Sequence, residues 1–166
     1  MTADGSSLWM VIAVAGGITL PVAVVGGILT EVGEWYESLN FPSWRPPNWL
    51  FAPAWTLIFI LIAASAVMGW DRAQGGASRN WLVMLFGINA ILNVAWSGLF
   101  FRLRRPDWAF AELVMLWLSI VSLVVFLSGL SRTAALLLLP YLAWVTFAGL
   151  LNFRIVQLNR PFEGRS

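Results

Sequence analysis

The chain has 166 residues, of which 60% are hydrophobic and only 11% are charged, and its formal net charge is +2. Since a soluble domain carries about 25% charged residues, this composition excludes an ordinary soluble protein and indicates one that lies in a lipid bilayer. The sequence contains no cysteine and no histidine, which excludes disulfides, thiol nucleophiles, zinc sites and haem iron held by imidazole. The arginines are scattered between apolar blocks, so we expect them to flank the membrane and expect no nucleic-acid partner.

Five apolar blocks predict five membrane-spanning helices in a single transmembrane domain, residues 1–166. In chain order the predicted helices cover about 8–29, 47–70, 80–101, 106–129 and 132–158, with a long loop at 30–46. Each block is near the roughly 20 residues that a helix needs to cross the hydrocarbon core. The sequence therefore predicts an all-α membrane protein, a five-transmembrane-helix bundle.

Local signals refine these elements. The first block is interpreted as a retained span and not as a signal peptide, because the residues before it include Asp4 and no basic side chain. Residues 71–79 are expected to form a short glycine-containing loop. Two internal prolines, Pro53 and Pro140, are expected to bend their helices, since each lacks a backbone donor.

Arginine is unevenly distributed between the two ends of the predicted bundle. Three arginines lie at one end, and the end with loop 1, loop 3 and the C-terminus carries the others: Arg45, Arg102, Arg104, Arg105, Arg154, Arg160 and Arg165. By the positive-inside rule we expect the N-terminus outside and the C-terminus in the cytoplasm, if the protein lies in an inner membrane.

Ionisable side chains inside a membrane mark functional sites by default, and the predicted spans contain almost none. Glu112 lies within two turns of the start of the fourth predicted helix, and Arg154 lies in the last turns of the fifth. Both are expected to reach the interface along their own side chains. The absence of a carboxylate near mid-span argues against a proton-coupled pump.

Amide and aromatic side chains form one stripe on each of two predicted helices. The third helix carries Asn89, Asn93, Trp96 and Phe100, and the fifth carries Tyr141, Trp144, Ala148 and Asn152. Because an amide is costly in lipid, both stripes should face the bundle interior, with Trp55 of the second helix nearby. Such a lining is typical of a small-molecule site, but interhelical hydrogen bonds and core packing explain the same residues.

Loop 1 is unusually aromatic for a connector. Between Trp35 and Trp49 it contains Tyr36, Trp44 and three prolines. Prolines restrict the backbone, so ordering the loop costs less entropy. We expect a stiff lid packed over a cavity at one end of the bundle.

The same residues resemble a known family. The run Trp35-Tyr36…Leu39…Pro42-x-Trp44-x-Pro46-Pro47-x-Trp49, followed by Pro53-x-Trp55, is similar to the loop signature of the translocator protein and tryptophan-rich sensory protein family. The segments 90–96 and 140–153 are similar to the third and fifth helices of that family.

The resemblance implies a five-helix bundle, often a homodimer, that binds porphyrins and other hydrophobic small molecules under loop 1. Family positions map the pocket to Tyr36, Trp44, Pro47, Trp55, Asn93, Trp144, Phe147 and Ala148, and the loop and the stripes add Trp49, Asn89, Trp96 and Asn152. Trp55 and Asn93 match positions that hydrogen-bond ligand, while Trp55 and Trp144 match positions linked to light-dependent porphyrin breakdown and are the candidate catalytic residues.

We therefore expect a sensor or carrier for tetrapyrroles, with protoporphyrin IX as the ligand, the bilayer as solvent and no required cofactor or metal. A light-dependent porphyrin-degrading enzyme and a transporter of an apolar small molecule are the alternatives.

Overall fold

The computed structural model describes residues 16–17, 20–30 and 33–162, and within them the chain is helical and contains no strand. The helices are α1 (Leu20–Leu29), α2 (Glu34–Glu37), α3 (Phe51–Arg72), α4 (Gly75–Ser97), α5 (Pro106–Ser128), α6 (Arg132–Leu137) and α7 (Leu139–Asn159). A 3-10 turn at Asn48–Leu50 precedes α3, and a π-helical turn at Gly98–Arg102 ends α4.

Four stretches are long and apolar enough to cross a membrane. They cover Asn48–Arg72, Gly75–Arg102, Pro106–Ser128 and Arg132–Asn159, which matches the last four predicted spans and confirms the all-α membrane fold class. The first predicted span, about 8–29, lies largely outside the described residues. Its described part includes α1, which is shorter than a span, so the count of five remains a prediction.

The predicted loop at 71–79 is wrong in its extent. The helix α3 continues to Arg72 and α4 begins at Gly75, so only two residues connect them. Gly75 has a φ of 84°, a conformation that glycine adopts without the steric cost of a side chain. The small polar residues that were expected to form the loop therefore build the first turn of α4.

Proline shapes the last span as expected. The helix is interrupted at Leu138, two residues before Pro140, because Pro140 has no N–H to continue the helical hydrogen-bond pattern. The N–H of Leu142 donates to the Leu138 carbonyl at 3.0 Å and restarts the helix as α7. By contrast α3 runs without a break through Pro53, which lies in its first turn, where few helical bonds are lost.

The helix α5 occupies the middle of the bundle and packs against α4, α6 and α7. Its buried side chains recur every three or four residues, as one helical face requires: Ala109, Leu113, Leu116, Ile120, Leu123 and Leu127. The middle of the core gathers around Ile120 and Tyr141, and Trp55, Trp96 and Trp144 pack against it. This arrangement brings the two predicted stripes to the same core.

Candidate functional site

Loop 1 packs onto one end of the bundle through its aromatic side chains. Tyr36 in α2 is buried, and its ring centroid lies 5.7 Å from that of Phe101 and 6.4 Å from that of Phe100, both in the π-helical turn. Leu39 is buried in the same cluster. The π turn carries one extra residue and so presents two adjacent phenylalanines to the loop.

Arg45 covers the outer side of this cluster. Its guanidinium carbon lies 4.0 Å from the Phe41 ring centroid and 5.2 Å from that of Tyr36, and its Nη2 donates to Asn48 Oδ1 at 2.6 Å. Burial raises the pKa of Tyr36 above its ordinary value, and the positive charge of Arg45 opposes part of this rise. The hydroxyl is therefore neutral at physiological pH.

Two asparagines join loop 1 to the end of α7, and we call this pair the Asn40–Asn159 latch. The backbone N–H of Asn40 donates to Asn159 Oδ1 at 2.8 Å, and Asn159 Nδ2 donates to the Asn40 carbonyl at 2.9 Å. Asn159 Nδ2 also donates to the Ile155 carbonyl at 2.8 Å, and the residue is only 3% exposed. Loop 1 is therefore held in place by a bidentate contact that its aromatic sequence did not suggest.

Beside the loop, four rings form an aromatic row that consists of Trp44, Phe147, Trp144 and Phe51. Successive ring centroids are 5.8 Å, 5.9 Å and 5.7 Å apart, which is the usual spacing of interacting aromatic side chains. The row crosses from loop 1 to α7 and on to α3. Trp44 is 46% exposed although it belongs to the row, so the loop end of the row is open to a further contact.

Trp55 lies one helical turn after Phe51 and extends this aromatic surface inward. It stacks on Phe59 with ring centroids 5.4 Å apart and meets the edge of Tyr141 at 6.2 Å. Trp55, Trp144 and Ala148 pack against the same core cluster. The structure thus brings together five predicted residues: Trp44, Trp55, Trp144, Phe147 and Ala148.

Below the aromatic row, four polar side chains form a continuous polar chain that consists of Asn93, Tyr141, Asn89 and Ser119. Asn93 Nδ2 donates to Tyr141 Oη at 3.0 Å, the Tyr141 hydroxyl donates to Asn89 Oδ1 at 3.3 Å, and Asn89 Nδ2 donates to Ser119 Oγ at 2.8 Å. This chain links α4, α7 and α5 inside the membrane span. The helix-packing role of Asn89 and Asn93 is therefore real, and it places their amides next to the aromatic surface.

Trp96 and Asn152 form a second interhelical tie. Trp96 Nε1 donates to Asn152 Oδ1 at 3.3 Å, and Asn152 Nδ2 donates to the Pro106 carbonyl at 2.7 Å. Asn152 is 1% exposed. The oxygen and the nitrogen of its side-chain amide both bond within the protein, so Asn152 fixes the start of α5 against α4 and α7.

Indole N–H groups divide the tryptophans of the bundle into two classes. Trp96 Nε1 donates to Asn152, and Trp117 Nε1 donates to Thr146 Oγ1 at 2.9 Å. Within the described part of the chain, the N–H groups of Trp55 and Trp144 donate to no protein acceptor. A donor without a protein partner on an aromatic surface is free to bind a ligand oxygen.

The remaining predicted residues lie at the margin. Pro47 is exposed at the start of the 3-10 turn, and Trp49 is 71% exposed. In the described ranges Trp49 makes no ring contact with the aromatic row. Tyr36 lies among the phenylalanines of the π turn rather than in the row itself.

The expectation that Glu112 reaches the interface is wrong. Both of its carboxyl oxygens are buried and have no hydrogen-bond partner among the described residues. The residue follows Pro106, the first residue of α5, by six positions. It lies on the same helix face as Ser119, seven residues later, which bonds to Asn89 of α4, so its side chain is directed toward α4. The sequence position alone did not show which face it occupies.

A separate apolar groove of about 400 Å³ runs along the outer side of α5 and α7. Its floor includes Gly149, and Phe110, Trp117 and Phe153 are among its walls. The hydrogen bond between Trp117 and Thr146 satisfies the polar atoms there. The groove lies on the opposite side of α5 from Glu112 and offers a surface suited to hydrocarbon.

Comparison with known proteins shows which family and which proteins this chain is similar to. The model of the TspO/MBR family matches residues 9–158. The tryptophan-rich protein TspO of Chlorobaculum tepidum is 38% identical over 90% of this chain and 96% of its own length. Protein CrtK of Rhodobacter capsulatus is 39% identical over 80% of this chain and 83% of its own, and the translocator protein of Bos taurus is 38% identical over 76% of both.

Proposed function

Since the chain belongs to the TspO/MBR family, we propose that it binds a tetrapyrrole in an intramembrane pocket under loop 1 and acts as a sensor or carrier. Protoporphyrin IX is the ligand that we expect. The family and the membrane spans give an integral, multi-pass membrane protein; the ligand and the pocket are the proposal.

The aromatic row is the observation that carries this proposal. A tetrapyrrole is a large, flat, conjugated ring, and aromatic side chains bind such rings by stacking and edge contacts. Trp44, Trp144 and Trp55 supply this surface from loop 1, α7 and α3. Because the chain has no histidine or cysteine, the ligand would be held by shape and stacking without an axial imidazole or thiolate.

Polar groups at the edge of this surface support the same ligand. The N–H groups of Trp55 and Trp144 are available as donors, and in the described residues Asn93 uses only Nδ2, so its Oδ1 remains an acceptor. Carboxylate or carbonyl oxygens of the ligand would accept from the indoles, and a pyrrole N–H would donate to Asn93. The site is mostly apolar with a few convergent polar groups, as ligand pockets usually are.

Tryptophan-fluorescence quenching by protoporphyrin IX tests the proposal in the dark. We expect saturable quenching in the unmodified protein and clearly weaker binding in Trp55→Phe, which keeps an aromatic ring but loses the N–H donor. Trp81→Phe is the matched control, because Trp81 is exposed near the start of α4. Equal affinity in all three proteins, or quenching that never saturates, would count against the pocket.

The light-dependent enzyme is the second candidate. It is favoured by Trp55 and Trp144 packing against one core cluster with unused indole N–H groups, since indoles next to a photoexcited porphyrin can donate electrons. Illumination of the complex in the presence of oxygen should break down the porphyrin, which is measured as a loss of its absorbance. If the double variant Trp55→Phe, Trp144→Phe consumes porphyrin as fast as the unmodified protein, this candidate fails.

We further propose the orientation with the arginine-rich end in the cytoplasm. Loop 1 with Arg45, the π turn with Arg102 and the end of α7 meet at one end of the bundle, joined by the Asn40–Asn159 latch, which supports the positive-inside argument. Labelling of single cysteines introduced at Ser43 and at Gln74 from each side of the membrane tests this orientation.

A homodimer is proposed as well, because the family resemblance implies one. The surface of α4 around Gly87 is apolar and open, since a Cβ at that position would meet nothing within 4 Å, and this permits close helix approach. Crosslinking of the reconstituted protein over a range of dilutions tests the assembly.

A further inference from the structure

Glu112 is a half-buried acid whose carboxyl group neither the packing of the bundle nor the proposed pocket uses. Within residues 16–17, 20–30 and 33–162 both carboxyl oxygens are covered and have no partner, although α5 is one of the membrane spans found there. Glu112 follows Pro106 by six residues, which places it about 9 Å along the helix axis from the start of the span. A leucine at this position would cost nothing in lipid, so the acid needs another explanation.

Helix register places Glu112 beside the polar chain. Asn89 on α4 bonds to Ser119 on α5, and the two helices run antiparallel. Trp96 lies two turns after Asn89 on α4, and Glu112 lies two turns before Ser119 on α5. Trp96 and Glu112 are therefore at the same depth along the two helices.

An ionised carboxylate in this position would be strongly unfavourable. Removing such a charge from water costs several kcal/mol even after relaxation, unless a partner compensates for it. The described residues offer no salt bridge to Glu112 and no group of three acidic, histidine or cysteine side chains that could hold a metal ion with it.

A proton is the one occupant that fits these constraints. We propose that Glu112 is an intramembrane proton-binding site, occupied in the structure described here, and that its occupancy controls ligand binding at the adjacent polar chain.

No charged or titratable group described on the helices around α5 is placed to neutralise the Glu112 carboxylate in place of a proton. In α4 the residues from 80 to 97 include none, and the π turn contributes Arg102, which donates to the Ile28 carbonyl. From α7 come Tyr141, which is neutral within the polar chain, and Arg154, which is exposed and bonds to Gln157. Arg132 of α6 lies near the far end of α5.

Within α5 itself Asp107 is the nearest acid, and it pairs with Arg105 at 2.6 Å. Asp107 and Arg105 thus compensate each other at the membrane surface. Glu112 is left as the group whose charge state is set by the bundle interior.

Coupling to the ligand follows from proximity and rests on the proposed function. A ligand that bonds to Asn93 or Trp55 enters an apolar space in which an ionised Glu112 would be nearby and poorly screened. Binding should therefore be tightest with the proton in place. Above the titration of Glu112 the affinity should fall by up to about tenfold per pH unit.

Infrared spectroscopy of the ligand-free, lipid-reconstituted protein tests the proton site without any ligand. The unmodified protein should show the carbonyl band of a neutral carboxylic acid, which disappears as the pH rises and is absent from Glu112→Gln. Carbon-13 labelling of glutamate should shift this band in the unmodified protein, so the assignment does not depend on the variant. Asp71→Asn is the control, since Asp71 is exposed at the end of α3. A carboxylate signal from Glu112 throughout the neutral range would overturn the proposal.

Binding titrations with protoporphyrin IX across pH test the coupling. The ratio of the affinities of the unmodified protein and Glu112→Gln removes the contribution of the ligand's own carboxyl groups. We expect this ratio to fall with rising pH, while the ratio for Asp71→Asn stays constant. A constant ratio for Glu112→Gln would refute the coupling, whereas an absence of porphyrin binding in every protein would refute the proposed function and leave the infrared result standing.

Discussion

Replacement of Asn159 by alanine should release loop 1 from the bundle. The side chain makes both bonds of the Asn40–Asn159 latch, at 2.8 Å and 2.9 Å, and it is 3% exposed. A net contribution of about 0.5–1.5 kcal/mol for each hydrogen bond gives a loss of about 1–3 kcal/mol in loop docking. Since about 1.4 kcal/mol is a factor of ten, loop opening should increase about 5- to 150-fold.

Hydrogen exchange measured by mass spectrometry on peptides from residues 33–47 reads this opening directly. Faster exchange should be confined to loop 1, because the spans keep their own backbone bonds. Asn159→Asp is an informative second variant, since it retains the acceptor for the Asn40 N–H but loses the donor to the Asn40 carbonyl. It should open the loop at least as much as alanine, because its second carboxyl oxygen would face the carbonyls of Asn40 and Ile155 in a site that is 3% exposed.

Gln157→Ala serves as the matched control, because Gln157 lies in the same turn of α7 but is exposed and bonds only to Arg154. If loop-1 exchange in Asn159→Ala equals that in Gln157→Ala, the latch does not hold the loop. The docking would then have to come from the apolar contacts of loop 1, which include those of Tyr36, Leu39 and Trp44.

Three further outcomes follow from the packing. Gly69→Ala should lower stability by about 1–3 kcal/mol, because its Cβ would lie 2.5 Å from Leu127 Cδ2. Gly87→Ala should leave the stability of the monomer unchanged, since nothing in the described part of the same chain lies within 4 Å of the new Cβ; thermal unfolding of the monomer in detergent compares the two. Tyr141→Phe should cost about 1–2 kcal/mol in the same assay, because it removes the hydroxyl through which the two asparagines of α4 are linked. Burial raises the pKa of Tyr36, so the docking of loop 1 should be complete below about pH 10 and weaken as the pH rises further; Tyr36→Phe should lose this alkaline sensitivity in hydrogen exchange.

The spans could be predicted because composition alone determines them. A block of about 20 apolar residues has few alternatives to a membrane helix, and the interruption before Pro140 follows from its missing donor. The start of α4 could not be predicted in the same way. Glycine and serine usually favour loops, and only the conformation of Gly75 shows that the turn needs two residues.

The sequence predicts which side chains share a face of one helix, but it does not predict which side chains meet between helices. Periodicity placed Asn89 and Asn93 on one face, but their bonding through Tyr141 depends on the register between helices, which no single-helix pattern contains. The inward direction of Glu112 was missed for the same reason. Asn159 lies seven residues after Asn152 and so continues the α7 stripe, one residue beyond the predicted end of that helix. Its partner is a backbone group 119 residues away, which periodicity does not identify.

The polar chain also constrains the order in which the protein can be assembled. During synthesis α4 enters the membrane before α5, and α7 enters last. Asn89 meets Ser119 as soon as the α4–α5 hairpin forms, but Asn93 and Trp96 find their partners, Tyr141 and Asn152, only on α7. A nascent chain that stops before residue 141 therefore carries unsatisfied donors in lipid, and quality-control machinery that recognises such groups could distinguish it from the finished protein.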